Sequence, residues 1–108
     1  ALARFTRDTD RLVIVDAVTA LGAYDVPMDR WGLDVVITGS QKVLMLPTGL
    51  SLISLSEKAW SRAEKLGPRQ SFYFDLVGEK KVNDSTQTRW SSAVSLIRAL
   101  DVVLKYIE

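Results

Sequence analysis

Two short apolar runs, Leu12–Val15 and Val35–Thr38, constrain the fold of this chain more than any other feature. Both are rich in β-branched residues, and neither shows the apolar–polar alternation of a half-exposed strand. Such runs suit strands covered on both faces, as in a parallel sheet flanked by helices. The first run ends in a carboxylate, Asp16, and the second ends in the polar turn Gly39–Lys42, which carries one lysine. Between them, Pro27 opens a short helix, MDRW, and Gly32 lies just beyond its end. That crossover predicts parallel neighbours. Asp16 and Lys42 then arrive at the same edge of one sheet.

After the lysine, an apolar bridge broken by Pro47 and Gly49 leads to a third strand at about Leu50–Leu55. The short connection predicts antiparallel pairing with the second strand. Ser56 is a natural N-cap for the helix EKAWSRAEKL, with Ala59, Trp60 and Ala63 on one stripe and Gly67–Pro68 as its stop. SFYFDL is short, aromatic and ambiguous, whereas VGEKKVNDSTQT reads as polar loop. The last segment, from Ser91 or Ser92, is a helix with Ala93, Leu96, Ile97, Leu100, Val103, Leu104 and Ile107 on a wide apolar face. At the opposite end, ALARFTRD places Leu2 and Phe5 at helical spacing with no capping residue before them. It reads as the tail of a longer helix, and the chain as a piece of something larger.

Composition narrows the functional classes. The 14 basic and 13 acidic side chains nearly cancel. Basic residues are scattered singly, apart from the pair Lys80–Lys81, so no one-sided stripe for nucleic acid is present. There is no Cys and no His. This excludes a zinc site with soft ligands, a thiolate nucleophile and a disulfide scaffold, and no metal is expected. No apolar run approaches the roughly 20 residues of a membrane span. The N-terminus lacks the layout of a signal peptide. A cytoplasmic domain with no membrane partner is the expectation.

An amine and a carboxylate at the C-terminal ends of adjacent strands lie where open α/β sheets bind ligands. A lysine there can form a Schiff base with an aldehyde cofactor, and a carboxylate can hold a pyridine nitrogen protonated. On spacing alone, a strand-ending Asp and a loop Lys are also common structural features. The run VDAVTALGAYDVPMDRWGLDVVITGSQK, continuing into PTGLSLISLSEKAW, closely resembles the class V pyridoxal-phosphate-dependent aminotransferases, most of all the alanine–glyoxylate and serine–glyoxylate group. The resemblance implies an α/β fold, part of the large domain of a fold-type-I transferase, with a mostly parallel sheet, one antiparallel strand and flanking helices. It implies the cofactor pyridoxal 5′-phosphate, amino acid and 2-oxo acid substrates, and a homodimer. By the same resemblance Lys42 is the Schiff-base lysine and the base that moves the substrate α-proton. Asp16 partners the pyridine nitrogen, Val18 packs on the ring, and Gln41 lies near the phenolic oxygen and phosphate. Val18 as a core valine and Gln41 as a solvated turn residue are the plain alternatives.

The family also carries a T-P-x-T-P-like segment that contacts the neighbouring subunit's phosphate. Here it reads TRWSSAVSLIRAL: Thr88 and Ser91 keep hydroxyls, but Arg89 and Ser92 replace the prolines. Capping by Ser91 or Ser92 explains those hydroxyls equally well. Val43 after the lysine, where a small residue is usual, and Thr48, where a proline is usual, are further departures. The resemblance places the phosphate-cradling turn and a ring-stacking aromatic before residue 1, and a carboxylate-binding arginine in a C-terminal small domain beyond residue 108. Residues 1–108 would then be a partial cofactor-binding domain, inactive or nearly so alone. The competing reading is a non-enzymatic α/β module that self-associates. A lyase or desulfurase of the same superfamily is a third, disfavoured by the missing cysteine and by Gln41, where those enzymes tend to carry histidine. Loss of the strand that covers the third strand in the family would leave Leu50–Leu55 as an exposed edge.

Overall fold

A computed structural model describes residues 2–67 and 71–107. The strands are β1 (Ile14–Asp16), β2 (Val35–Gly39) and β3 (Ser51–Leu55), and the helices are α1 (Met28–Trp31), α2 (Glu57–Lys65), α3 (Leu76–Asn83) and α4 (Val94–Ile107). The sheet order is β1-β2-β3, with β1 parallel and β2 antiparallel to its neighbour on the other side, β3. The expected topology is therefore present, although the three-stranded sheet is evenly mixed rather than mostly parallel. Residues 2–5 form a 3-10 turn where the sequence suggested the tail of a longer helix.

Strand alternation divides the sheet into two unlike faces. Ala17, Leu33 and Val36 form a buried cluster on one face, with Val13, Val15, Leu21, Val26 and Met28 packed around it. Gly32 at φ 66° closes α1 in the left-handed conformation and returns the chain into β2. On the other face, register aligns Asp16 with Ile37 and Ile37 with Ile53. Cover there is incomplete, with Ile14 61% and Ile53 41% exposed, so the expectation of strands covered on both faces is met on one face only. Helices α2 and α3 lean over the Val35–Leu55 end and leave the row that contains Asp16 open.

Asp34 ties the opposite end of the sheet together. Its buried carboxylate accepts hydrogen bonds from the Val13 N–H at 2.8 Å and the Ser56 hydroxyl at 3.0 Å. Ser56 in turn accepts from the Ala59 N–H, capping α2 as its position suggested. Gly67 follows the end of that helix at φ 66°, while Pro68 lies outside the described residues.

Of the stretch read as polar loop, residues 77–83 fold instead as the body of α3, while 84–88 are turn and loop as expected. The Asp75 side chain caps it by accepting from the Gly78 N–H, and Arg89 binds both Asp75 and Glu79. These tertiary partners outweigh a weakly patterned sequence. The last helix begins at Val94, and neither the Ser91 nor the Ser92 hydroxyl caps it among the described residues. Its Leu96, Leu100 and Val103 are half-buried, whereas Val94, Ile97 and Leu104 are exposed. No helix among the described residues is long and apolar enough to cross a membrane.

Candidate active site

The alternation that builds the core also builds the site. Ala17, Val36, Thr38 and Ser40 are buried on the inner side. Asp16, Val18, Ile37, Gly39 and Gln41, offset by one residue, line a single cavity of about 460 Å³ at the C-terminal ends of β1 and β2. Thr48, Gly49, Leu50 and Ser51 close its far side. The D-A-V spacing thus carries a physical meaning: Ala17 plugs the core and its two neighbours face the cavity.

Local hydrogen bonds orient the acid. Asp16 Oδ1 accepts from the Val18 N–H at 2.9 Å, and Oδ2 has no partner among the described residues. Gly39 brings the cavity walls close. A Cβ there would lie 2.8 Å from Gln41 Oε1 and 3.3 Å from Val18 Cγ2, so a side chain at this position would displace the Gln41 amide and press on Val18. An oriented carboxylate with a free oxygen, an apolar wall of Val18 and Ile37, and a primary amide together suit a flat ring with a protonated nitrogen and polar substituents.

Not every candidate converges there. Lys42 sits on the same edge of the sheet but is exposed and is not among the cavity-lining residues. Its amine makes no hydrogen bond or ion pair among the described residues, while its carbonyl accepts from the Met45 N–H at 2.9 Å. Thr88 lines a different hollow beside Ile53, Trp60 and Glu79, and Ser91 is exposed. Neither stands beside Asp16 in a single chain. Sequence reasoning passed over Ser40, whose side chain is fully buried. Its place two residues before Lys42, in phase with buried Val36 and Thr38, was the available signal.

Comparison with known proteins identifies the lineage of this arrangement. The family model described as aminotransferase class-V matches residues 1–108, and the chain belongs to that family. The small subunit of a soluble hydrogenase from Synechococcus sp. (strain PCC 6716) is 46% identical over 97 residues, 90% of this chain and 25% of that protein. The serine–glyoxylate aminotransferase of Hyphomicrobium methylovorum is 37% identical over 90 residues, 82% of this chain and 22% of the enzyme. Among solved structures, an aspartate aminotransferase of subgroup IV from Thermus thermophilus superposes with a TM-score of 0.82 at 36% identity, covering 97% of this chain and 30% of that one. The chain spans about a quarter of the length of these curated relatives. The α/β expectation, part of a fold-type-I transferase, agrees with this structural likeness.

Proposed function

We propose that residues 1–108 are the cofactor-binding part of a pyridoxal-phosphate-dependent aminotransferase. The protein containing them would transfer an amino group from an alanine- or serine-type amino acid to a 2-oxo acid such as glyoxylate. The observation that carries this reading is the convergence of Asp16, Val18 and Gln41 on one cavity, with Lys42 next along the chain. The serine–glyoxylate aminotransferase among the relatives supports the substrate class.

Pyridoxal 5′-phosphate, when bound, supplies an electron-withdrawing ring that stabilises negative charge at the substrate α-carbon. The Val18 N–H holds the Asp16 carboxylate in place, leaving Oδ2 as the acceptor that would receive a ring N–H and keep that nitrogen protonated. Val18 and Ile37 would present an apolar wall to the ring, and the Gln41 amide would meet its polar substituents. Lys42 would hold the cofactor through its amine, and its Nζ would serve as the base that takes up and returns the substrate α-proton. Thr88 and Ser91 act in a homodimer, at the neighbouring subunit's phosphate. The setting is cytoplasmic, and efficient turnover requires the longer protein, because phosphate contacts supply much of such a cofactor's orientation.

A second reading is a non-enzymatic module that self-associates, favoured by the exposed Ile53 and by an edge of β3 that is unpaired among the described residues. Visible absorption with pyridoxal 5′-phosphate separates the two. A band that disappears in Lys42→Ala and shifts on adding alanine or serine supports the first reading. A band of equal strength in Lys42→Ala, spread over surface lysines, overturns it.

A further inference from the structure

Lys42 stands between two anchors. Ser40, two residues before it, is 0% exposed, and Leu44, two residues after it, is 1% exposed. Ser40 reaches across the loop that follows with both backbone and side chain. Its N–H donates to the Leu50 carbonyl at 3.1 Å, and its carbonyl accepts from the Leu46 N–H at 3.0 Å. Its hydroxyl donates to the Pro47 carbonyl at 2.6 Å and accepts from the Leu50 N–H at 3.3 Å. One side chain therefore satisfies two backbone groups on the far arm of the loop.

The loop so closed holds a conformation it would otherwise leave. Met45, 75% exposed, is at φ 53°, a left-handed position that a side chain bearing Cβ adopts at a cost of about 1–2 kcal/mol. Its N–H bonds the Lys42 carbonyl, so this turn sets the direction in which Lys42 leaves the strand. The Met45 side chain is exposed, whereas the bonds of Ser40 across the loop hold the turn in place.

We infer that Ser40 is the positioning residue for Lys42: its hydroxyl, bridging Pro47 and Leu50, fixes the turn that holds the exposed lysine on the sheet edge that carries the Asp16 cavity. The inference rests on the proposed role of Lys42 and adds to it the device that holds the amine. Replacing the hydroxyl takes the side-chain partner from the Pro47 carbonyl and the Leu50 N–H, both part-buried, and the turn has no other side-chain clasp among the described residues.

The test treats the 108-residue chain and Ser40→Ala with pyridoxal 5′-phosphate, traps adducts with borohydride, and maps each lysine by mass spectrometry. Amide hydrogen exchange is read in parallel. The wild type is expected to be modified preferentially at Lys42. In Ser40→Ala, modification at Lys42 relative to Lys65 and Lys81 falls about tenfold, and the Leu46 and Leu50 amides both exchange at least about tenfold faster, with helical circular dichroism retained. An unchanged Lys42 ratio overturns the inference, as does faster exchange at Leu50 alone. If the wild type shows no preference for Lys42, the cofactor role of the lysine fails, and the positioning role with it. If Ser40→Ala does not fold, exchange in the wild type decides. Leu46 and Leu50 amides protected like those of Val36 and Thr38 support the clasp, and amides exchanging like open loop overturn it.

Discussion

The Ser56 hydroxyl donates to Asp34 Oδ1 at 3.0 Å, joining the N-cap of α2 to the first turn into β2. The same carboxylate takes the Val13 N–H, so one buried acid fixes the spacing of β1, β2 and α2 at the end of the sheet opposite the candidate site. Lys58 lies 3.9 Å from it and also donates to the Thr6 and Arg11 carbonyls. Distance from the cavity makes this knot a clean test of stability alone.

Asp34→Ala is expected to lower unfolding free energy by about 2–4 kcal/mol, because a buried N–H and a hydroxyl lose a charged acceptor. Asp34→Asn, which keeps one acceptor, should cost less. Urea denaturation followed by circular dichroism reads both, and equal effects of the two variants would contradict the assignment.

Gly39→Ala is expected to change stability by less than about 1 kcal/mol, since the crowded atom is the flexible end of Gln41. Affinity for pyridoxal 5′-phosphate should nevertheless fall at least about tenfold, as Gln41 and Val18 are pushed apart. Absorbance titration against the wild type measures it.

Thr86 occupies the left-handed position after α3, at φ 58°, with the Gln87 N–H returning to the Val82 carbonyl. Thr86→Gly relieves that strain and is expected to stabilise the chain by up to about 1 kcal/mol. A higher midpoint in thermal unfolding is the expected result.

Among the described residues one edge of β3 has no strand beside it, and Ile53 is exposed on its open face. The chain is expected to form dimers or larger species at tens of micromolar, on the order where exposed edges associate. Ile53→Lys should shift light scattering toward monomer. A wild type that is already monomeric at that concentration contradicts the expectation.

Sequence alone determined the local features whose causes are local. Uninterrupted β-branched runs form strands, covered here on one face only, Gly32 ends α1, and Ser56 caps α2; each signal is carried by neighbouring residues. The pairing of Asp16 with Val18 on one face was also implicit in strand alternation. Tertiary structure decided what depends on distant partners. The helix at Leu76–Asn83 forms where Arg89, far along the chain, holds Asp75 and Glu79. The burial of Asp34, and the bonds that Ser40 makes across the loop, followed from chain crossings that no local pattern records. The direction taken by Lys42 had the same origin: the turn after β2 is set by bonds to Leu46, Pro47 and Leu50, and only folding brings those groups back to Ser40.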